Sequence, residues 1–131
     1  MREEINLGSI QVLVVEDDRD AREMIKFALE ECGARVDTSP SARNAWEQLK
    51  NTNYDVIVSD ISMPDVNGYE LIRELRARGI RTPAVAVTAY SRPEYESLAA
   101  QAGFNVQLAK PLDLRELSKV IEALVRPSPL V

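Results

Sequence analysis

Five short, valine-rich apolar runs, separated by stretches whose apolar residues recur at helical spacing, constrain the fold of this chain more tightly than any other feature of its sequence. The runs are Val12 to Val15, Ala34 to Val36, Val56 to Val58, Ala84 to Val87, and Val106 to Ala109 with Gln107 interrupting. They are mostly continuous rather than alternating, which suits strands covered on both faces of a parallel sheet. Ala21, Met24, Ile25, Ala28, Leu29 and Cys32 lie on one face of a helix after the first run. The same stripe recurs at Ala42, Ala45, Trp46, Leu49; at Leu71, Ile72, Leu75; at Tyr95, Leu98, Ala99, Ala102; and at Leu114, Leu117, Ile121, Leu124. Strand and helix repeated five times with right-handed crossovers put helices on both faces of one sheet, an α/β, doubly wound architecture. The 131 residues leave room for one such domain. No apolar run approaches the ~18 residues that a membrane-spanning helix needs.

The helix ends carry matching punctuation. Ser39 before Pro40 reads as a cap with proline in the first helical position. Asn67 with Glu70, Ser91 with Glu94, and Asp113 with Glu116 have capping-box spacing, and Gly33, Gly79 and Gly103 follow the ends of stripes. The first eight or so residues and the tail 127–131 are expected outside the core, giving an extension at 1–9, a domain at 10–126 and a short tail. Met1 to Leu7 contains no apolar stretch of the kind a secretion signal carries.

Composition removes several chemistries. The chain has no histidine, the commonest general base and zinc ligand, so hydrolysis through a serine or cysteine with a histidine base is excluded. Its one cysteine, Cys32, forms no internal disulfide and is read as a core thiol of a cytoplasmic protein. The net charge of -5 argues against direct nucleic-acid binding. Trp46 is read as a core residue of the second helix, and Arg73, Arg76 and Arg78 as a solvated face.

In a doubly wound sheet, ligands bind beyond the carboxyl ends of the strands. The first run is followed by Glu16, Asp17 and Asp18, the third by Ser59 and Asp60, the fourth by Thr88, and the fifth by Lys110 and Pro111. Singly, each has a structural reading: the acidic pair as a capping cluster, Asp60 in an Asx-turn, Thr88 as a polar strand end, Lys110 as a solvated cation. At four strand ends together they read as a site. Carboxylates gathered at one edge repel unless a cation joins them, and an all-oxygen set selects a hard ion such as Mg²⁺. One carboxylate could then act as nucleophile towards a phosphoryl group, with Lys110 and Thr88 contacting its oxygens. Such chemistry relies on positioning and charge neutralisation, so it needs no histidine in this chain.

Val12 to Asp18, Asp60 to Gly68, Val87 to Ala89 and Leu108 to Pro111 together resemble the receiver domain of two-component response regulators, over residues 10–126. The resemblance implies a flavodoxin-like (βα)5 fold with strand order 2-1-3-4-5. It implies Asp60 as phosphoacceptor, Glu16, Asp17, Asp60 and the Ser62 backbone carbonyl as the Mg²⁺ set, and Thr88 and Lys110 as the groups that contact the phosphoryl. Asp18 is left to serve the first turn of the first helix. A cis Lys110-Pro111 bond is implied too. At Gln107, receivers usually carry an aromatic switch residue, so this chain departs from the pattern there. Tyr90 and Ser62 occupy positions that in the family tune the lifetime of the phosphate.

The implied partners are a histidine kinase or histidine phosphotransfer protein and a downstream protein target, with no nucleic acid and no membrane, and a dimer formed on phosphorylation is compatible. Output would run through the surface of the fourth helix, fifth strand and fifth helix. The domain is not an enzyme beyond its own phosphorylation and dephosphorylation. Three other readings compete: a receiver of a hybrid histidine kinase, suggested by Leu108 to Pro111 and Ala102 to Phe104; a pseudo-receiver acting only as an interaction module; and an aspartyl phosphatase. The last lacks the second aspartate two residues after the nucleophile, where Ser62 stands. Met1 and the proline-containing end favour a stand-alone protein whose output is contact with another chain.

Overall fold

A computed structural model describes residues 4–89 and 92–126. The strands are β1 (Gln11–Val15), β2 (Arg35–Ser39), β3 (Val56–Asp60), β4 (Ala84–Thr88) and β5 (Val106–Ala109). They alternate with α1 (Arg19–Glu31), α2 (Ala42–Asn51), α3 (Gly68–Ala77), α4 (Pro93–Ala102) and α5 (Leu114–Val125). All neighbouring strands pair in parallel, in the order β2-β1-β3-β4-β5. This is the flavodoxin-like (βα)5 arrangement that the resemblance implied.

Alternate residues of each strand feed opposite faces of the sheet. Val12, Val14, Val56, Val58, Val85 and Val87 pack against Ile25 and Leu29 of α1 and Leu117 and Ile121 of α5. Leu13, Val15, Ile57, Ala84 and Ala86 pack against α2, α3 and α4 through Ala42, Ala45, Leu71, Ile72, Leu75, Ala99 and Ala102. The central strands β3 and β4 are buried throughout, whereas the edge strand β2 alternates and exposes Arg35 and Asp37. Among the described residues, no helix is long and apolar enough to cross a membrane.

The caps follow the sequence with one shift. Asp18, Asn67 and Asp113 accept from backbone N–H groups of the first turns of α1, α3 and α5. Ser39 instead ends β2, opposite Val15, and Ser41 caps α2 through the Asn44 N–H. The residue before a proline is pushed towards extended backbone, so Pro40 prolongs the strand by one residue rather than starting the helix. The Ser91 cap lies outside the described residues, and α4 starts at Pro93 with Arg92 in the cap position and no side-chain bond. Gly33, Gly79 and Gly103 all have positive φ.

Burial differs from expectation at five residues. Leu7, assigned to an extension outside the core, is 0% exposed and sits with Ile10 in the cluster under α1 and α5. Its N–H donates to the Cys32 carbonyl, and Arg126 and Glu122 of the α5 end hold the backbone of Asn6. Met24 of α1 is 60% exposed, because only Ile25 and Leu29 of that stripe point squarely at the sheet. Leu98 of α4 is exposed for the same reason. Cys32 and Trp46 are half-buried against the two clusters rather than enclosed by them.

Candidate functional site

Parallel pairing brings the carboxyl ends of the central strands to one edge. Val15 lies opposite Ser59, Asp60 opposite Val87, and Thr88 opposite Ala109, so Glu16, Asp60, Thr88 and Lys110 leave the sheet side by side. Glu16 is 3% exposed and Asp60 6%, while Asp17 is exposed at the rim. Carboxylate oxygens of Glu16, Asp17 and Asp60 all lie within 4.8 Å of one another. The Lys110 ammonium lies 3.4 Å from Glu16 Oε1 and 3.4 Å from Asp60 Oδ2. The Lys110-Pro111 bond that follows is cis.

Backbone groups finish the arrangement. The Ser62 N–H donates to Asp60 Oδ1 at 3.3 Å, and the Asp18 N–H to Glu16 Oε2 at 3.2 Å. The Lys110 N–H donates to the Thr88 carbonyl at 2.8 Å, fixing the last turn of backbone beside the ammonium. Gly68 makes the close return of the loop after Asp60 feasible, since a Cβ there would stand 2.5 Å from the Asp60 carbonyl oxygen.

The electrostatics are those of a site with surplus negative charge. Burial, and then the neighbouring Asp60 carboxylate, push the Glu16 carboxyl up to about 7. Burial works against the Lys110 ammonium, but the charges of Asp60 and Glu16 outweigh it and raise its pKa. Three carboxylates thus face one ammonium across a cluster made only of oxygen donors. A hard divalent cation fits that donor set and would relieve the repulsion that lifts Glu16.

One predicted switch position stands apart. Gln107, half-buried in β5, lines a cleft of about 380 Å³ with Glu96, Ala99 and Phe104, away from the carboxylates. Tyr90 lies outside the described residues. A second cleft, of about 370 Å³, runs from Glu16 and Lys110 along the exposed Met24 to Leu112 and Leu114. Sequence reasoning missed Arg22, whose guanidinium donates to the carbonyls of Glu16 at 2.9 Å and Asp17 at 3.4 Å. Its one signal is spacing, since a residue one turn into α1 stands over the loop that precedes the helix. Asp65 was missed as well; from the β3–α3 loop it accepts from the Arg43 N–H at 3.3 Å, and although burial pushes its carboxyl up, backbone N–H donors including those of Val66 and Arg43 outweigh it and hold the pKa below the usual range.

The family model for the response regulator receiver domain matches residues 12–122. An uncharacterized 14.6 kDa protein from the sodA1 3' region of Leptolyngbya boryana is 40% identical over 118 residues, 88% of this chain and 90% of that protein. The regulatory protein VanRB of Enterococcus faecalis is 35% identical over 92% of this chain, which spans only 54% of that longer protein. Among solved structures, the receiver domain of Francisella response regulator 1452 superposes with a TM-score of 0.88 at 30% identity, covering 90% of this chain and 98% of its own. The chain therefore belongs to the response regulator receiver domain family of two-component signalling.

Proposed function

We propose that the domain takes a phosphoryl group from a histidine kinase or histidine phosphotransfer protein onto Asp60 and thereby switches a protein-binding surface. The observation that carries this reading is the convergence of the Glu16, Asp17 and Asp60 carboxylates with the Lys110 ammonium at one sheet edge. In the step itself, an Asp60 carboxylate oxygen attacks the phosphorus, the P–N bond breaks, and the imidazole leaves with the electron pair. Lys110, already poised on Asp60, follows the charge onto a phosphoryl oxygen, and Thr88 serves another with its hydroxyl.

Glu16, Asp17, Asp60 and the Ser62 carbonyl would hold Mg²⁺, which neutralises phosphoryl oxygens and the buried carboxylates when bound. The protein's own part is to keep those oxygens together and to flank Asp60 with the Lys110 ammonium. Ser62 and Tyr90 tune how long the phosphate lasts, and Gln107 takes the switch position in the cleft between α4 and β5. The altered face comprises α4, β5 and α5, read by a downstream protein in the cytoplasm or by a second copy of the domain, without direct nucleic-acid contact. Residues 10–126 are the proposed receiver unit, with residues 5–9 packed onto it.

Incubation with Mg²⁺ and beryllofluoride or a small phosphodonor tests the reading, with Asp60→Asn as control. The expected outcome is a Mg²⁺-dependent change in the amide NMR spectrum around β4, α4 and β5 in the wild type and none in the variant. An unresponsive wild type would sink the phosphorylation reading and leave a binding module that uses the same fold without chemistry.

A further inference from the structure

The carbonyls of Glu16 and Asp17 lie past the end of β1, where the strand ladder stops. Carbonyl groups in such a turn need donors from elsewhere. One side chain serves both: Arg22 reaches back from the first turn of α1 to Glu16 O at 2.9 Å and Asp17 O at 3.4 Å. Its backbone N–H makes the first helical bond, to the Asp18 carbonyl at 3.0 Å, so its Cα is fixed at the helix start. A cation in a first helical turn opposes the helix dipole, so local helix energetics do not account for arginine here. One guanidinium nitrogen, Nη1, stands between the two adjacent carbonyls and donates to both.

The surroundings complete a closed brace. The Asp18 N–H holds Glu16 Oε2 and the Asp18 carboxylate caps the Ala21 N–H, while Arg22 holds the backbone of the acidic pair from the other side. We propose that Arg22 is a positioning residue that fixes the Glu16-Asp17 backbone, so that the two carboxylates stand ready for a divalent cation before it arrives. The proposal rests on the receiver reading of the site. Arg22 itself donates only to carbonyls there and touches no reacting atom.

The test is Mg²⁺ titration of the full chain followed by amide NMR, with Arg22→Gln, Arg22→Lys and Tyr54→Phe beside the wild type. Arg22→Gln is expected to weaken Mg²⁺ binding about tenfold, the usual loss when a partner that orients a metal ligand is removed. In Mg²⁺-free protein it should already move the amide signals of residues 16 to 18. Arg22→Lys, which keeps a cationic donor on a shorter side chain, is expected to recover part of the affinity, and it carries the test if Arg22→Gln fails to fold. Wild-type affinity in whichever Arg22 variant folds overturns the proposal, as does an equal loss in Tyr54→Phe, which lowers stability far from the site. A wild type that binds no Mg²⁺ overturns the receiver reading, a distinct result.

Discussion

Tyr54 shows how one buried hydroxyl can be followed by titration. Its O–H donates to Asp37 at 2.6 Å, and burial, then that bond, pushes the phenol up to about 12. The raised value means that the proton is held more tightly in the folded chain than in the unfolded one. Stability is therefore unaffected below pH ~10 and falls as pH rises from about 10 to about 12, at up to roughly 1.4 kcal/mol per pH unit. Tyr54→Phe is expected to cost about 1–3 kcal/mol at pH 7 and to flatten that alkaline decline, measured by urea unfolding at several pH values. An unchanged alkaline slope would remove Tyr54 as its source. At this scale the sequence was readable where a residue follows directly from its strand, as with Asp60 and Lys110. Arg22 was not, because a side chain that reaches back from its helix to the preceding loop leaves only a spacing behind, and Asp65 and the Tyr54 bond were not, because each acts on a partner that only tertiary folding brings near.

The elements obeyed local rules where those rules agreed with packing. The caps at Asp18, Asn67 and Asp113 are short-range features, and three of the glycines that close helices have the left-handed backbone expected of them. The second helix was misplaced by two residues because a proline signals both a helix start and an extended preceding residue, and pairing with β1 decided between them. The start of α3 depends on a closer contact. At Gly68 a methyl group would meet the Asp60 carbonyl oxygen at 2.5 Å and the Ile61 Cα at 3.0 Å, both backbone atoms that cannot swing away. Gly68→Ala is expected to destabilise by about 1–3 kcal/mol in thermal unfolding and to shift the amide signals of Ile61 and Ser62. A variant as stable as the wild type would show that the loop after Asp60 can move without cost.

For the whole molecule, the boundary of the folding unit differs from the boundary of the recognisable family pattern. Leu7 lies before the matched segment yet is wholly enclosed. Leu7→Ala is expected to cost about 2–5 kcal/mol in urea unfolding, as for a core leucine, and a loss under 1 kcal/mol would return it to a dispensable extension. Hydrophobic periodicity could not reveal this, since Ile5, Leu7 and Ile10 are isolated apolar residues in a polar stretch. Mg²⁺ held at these carboxylates would act on the molecule as a whole, because it would bind only the assembled site. At about 100 times its dissociation constant it should raise unfolding free energy by about 2.7 kcal/mol, reversed by a chelator, and no thermal shift would argue against a metal at these carboxylates. The flanks of the sheet have a bearing of another kind. An open sheet offers its outermost strands to any passing chain, and a flat apolar edge invites stacking into fibres. Here β2, with Arg35 and Asp37 exposed in alternation, and β5, only four residues long, give such a neighbour charge on one flank and little length on the other. A domain built this way can stay crowded among its own copies while leaving association to faces that helices present.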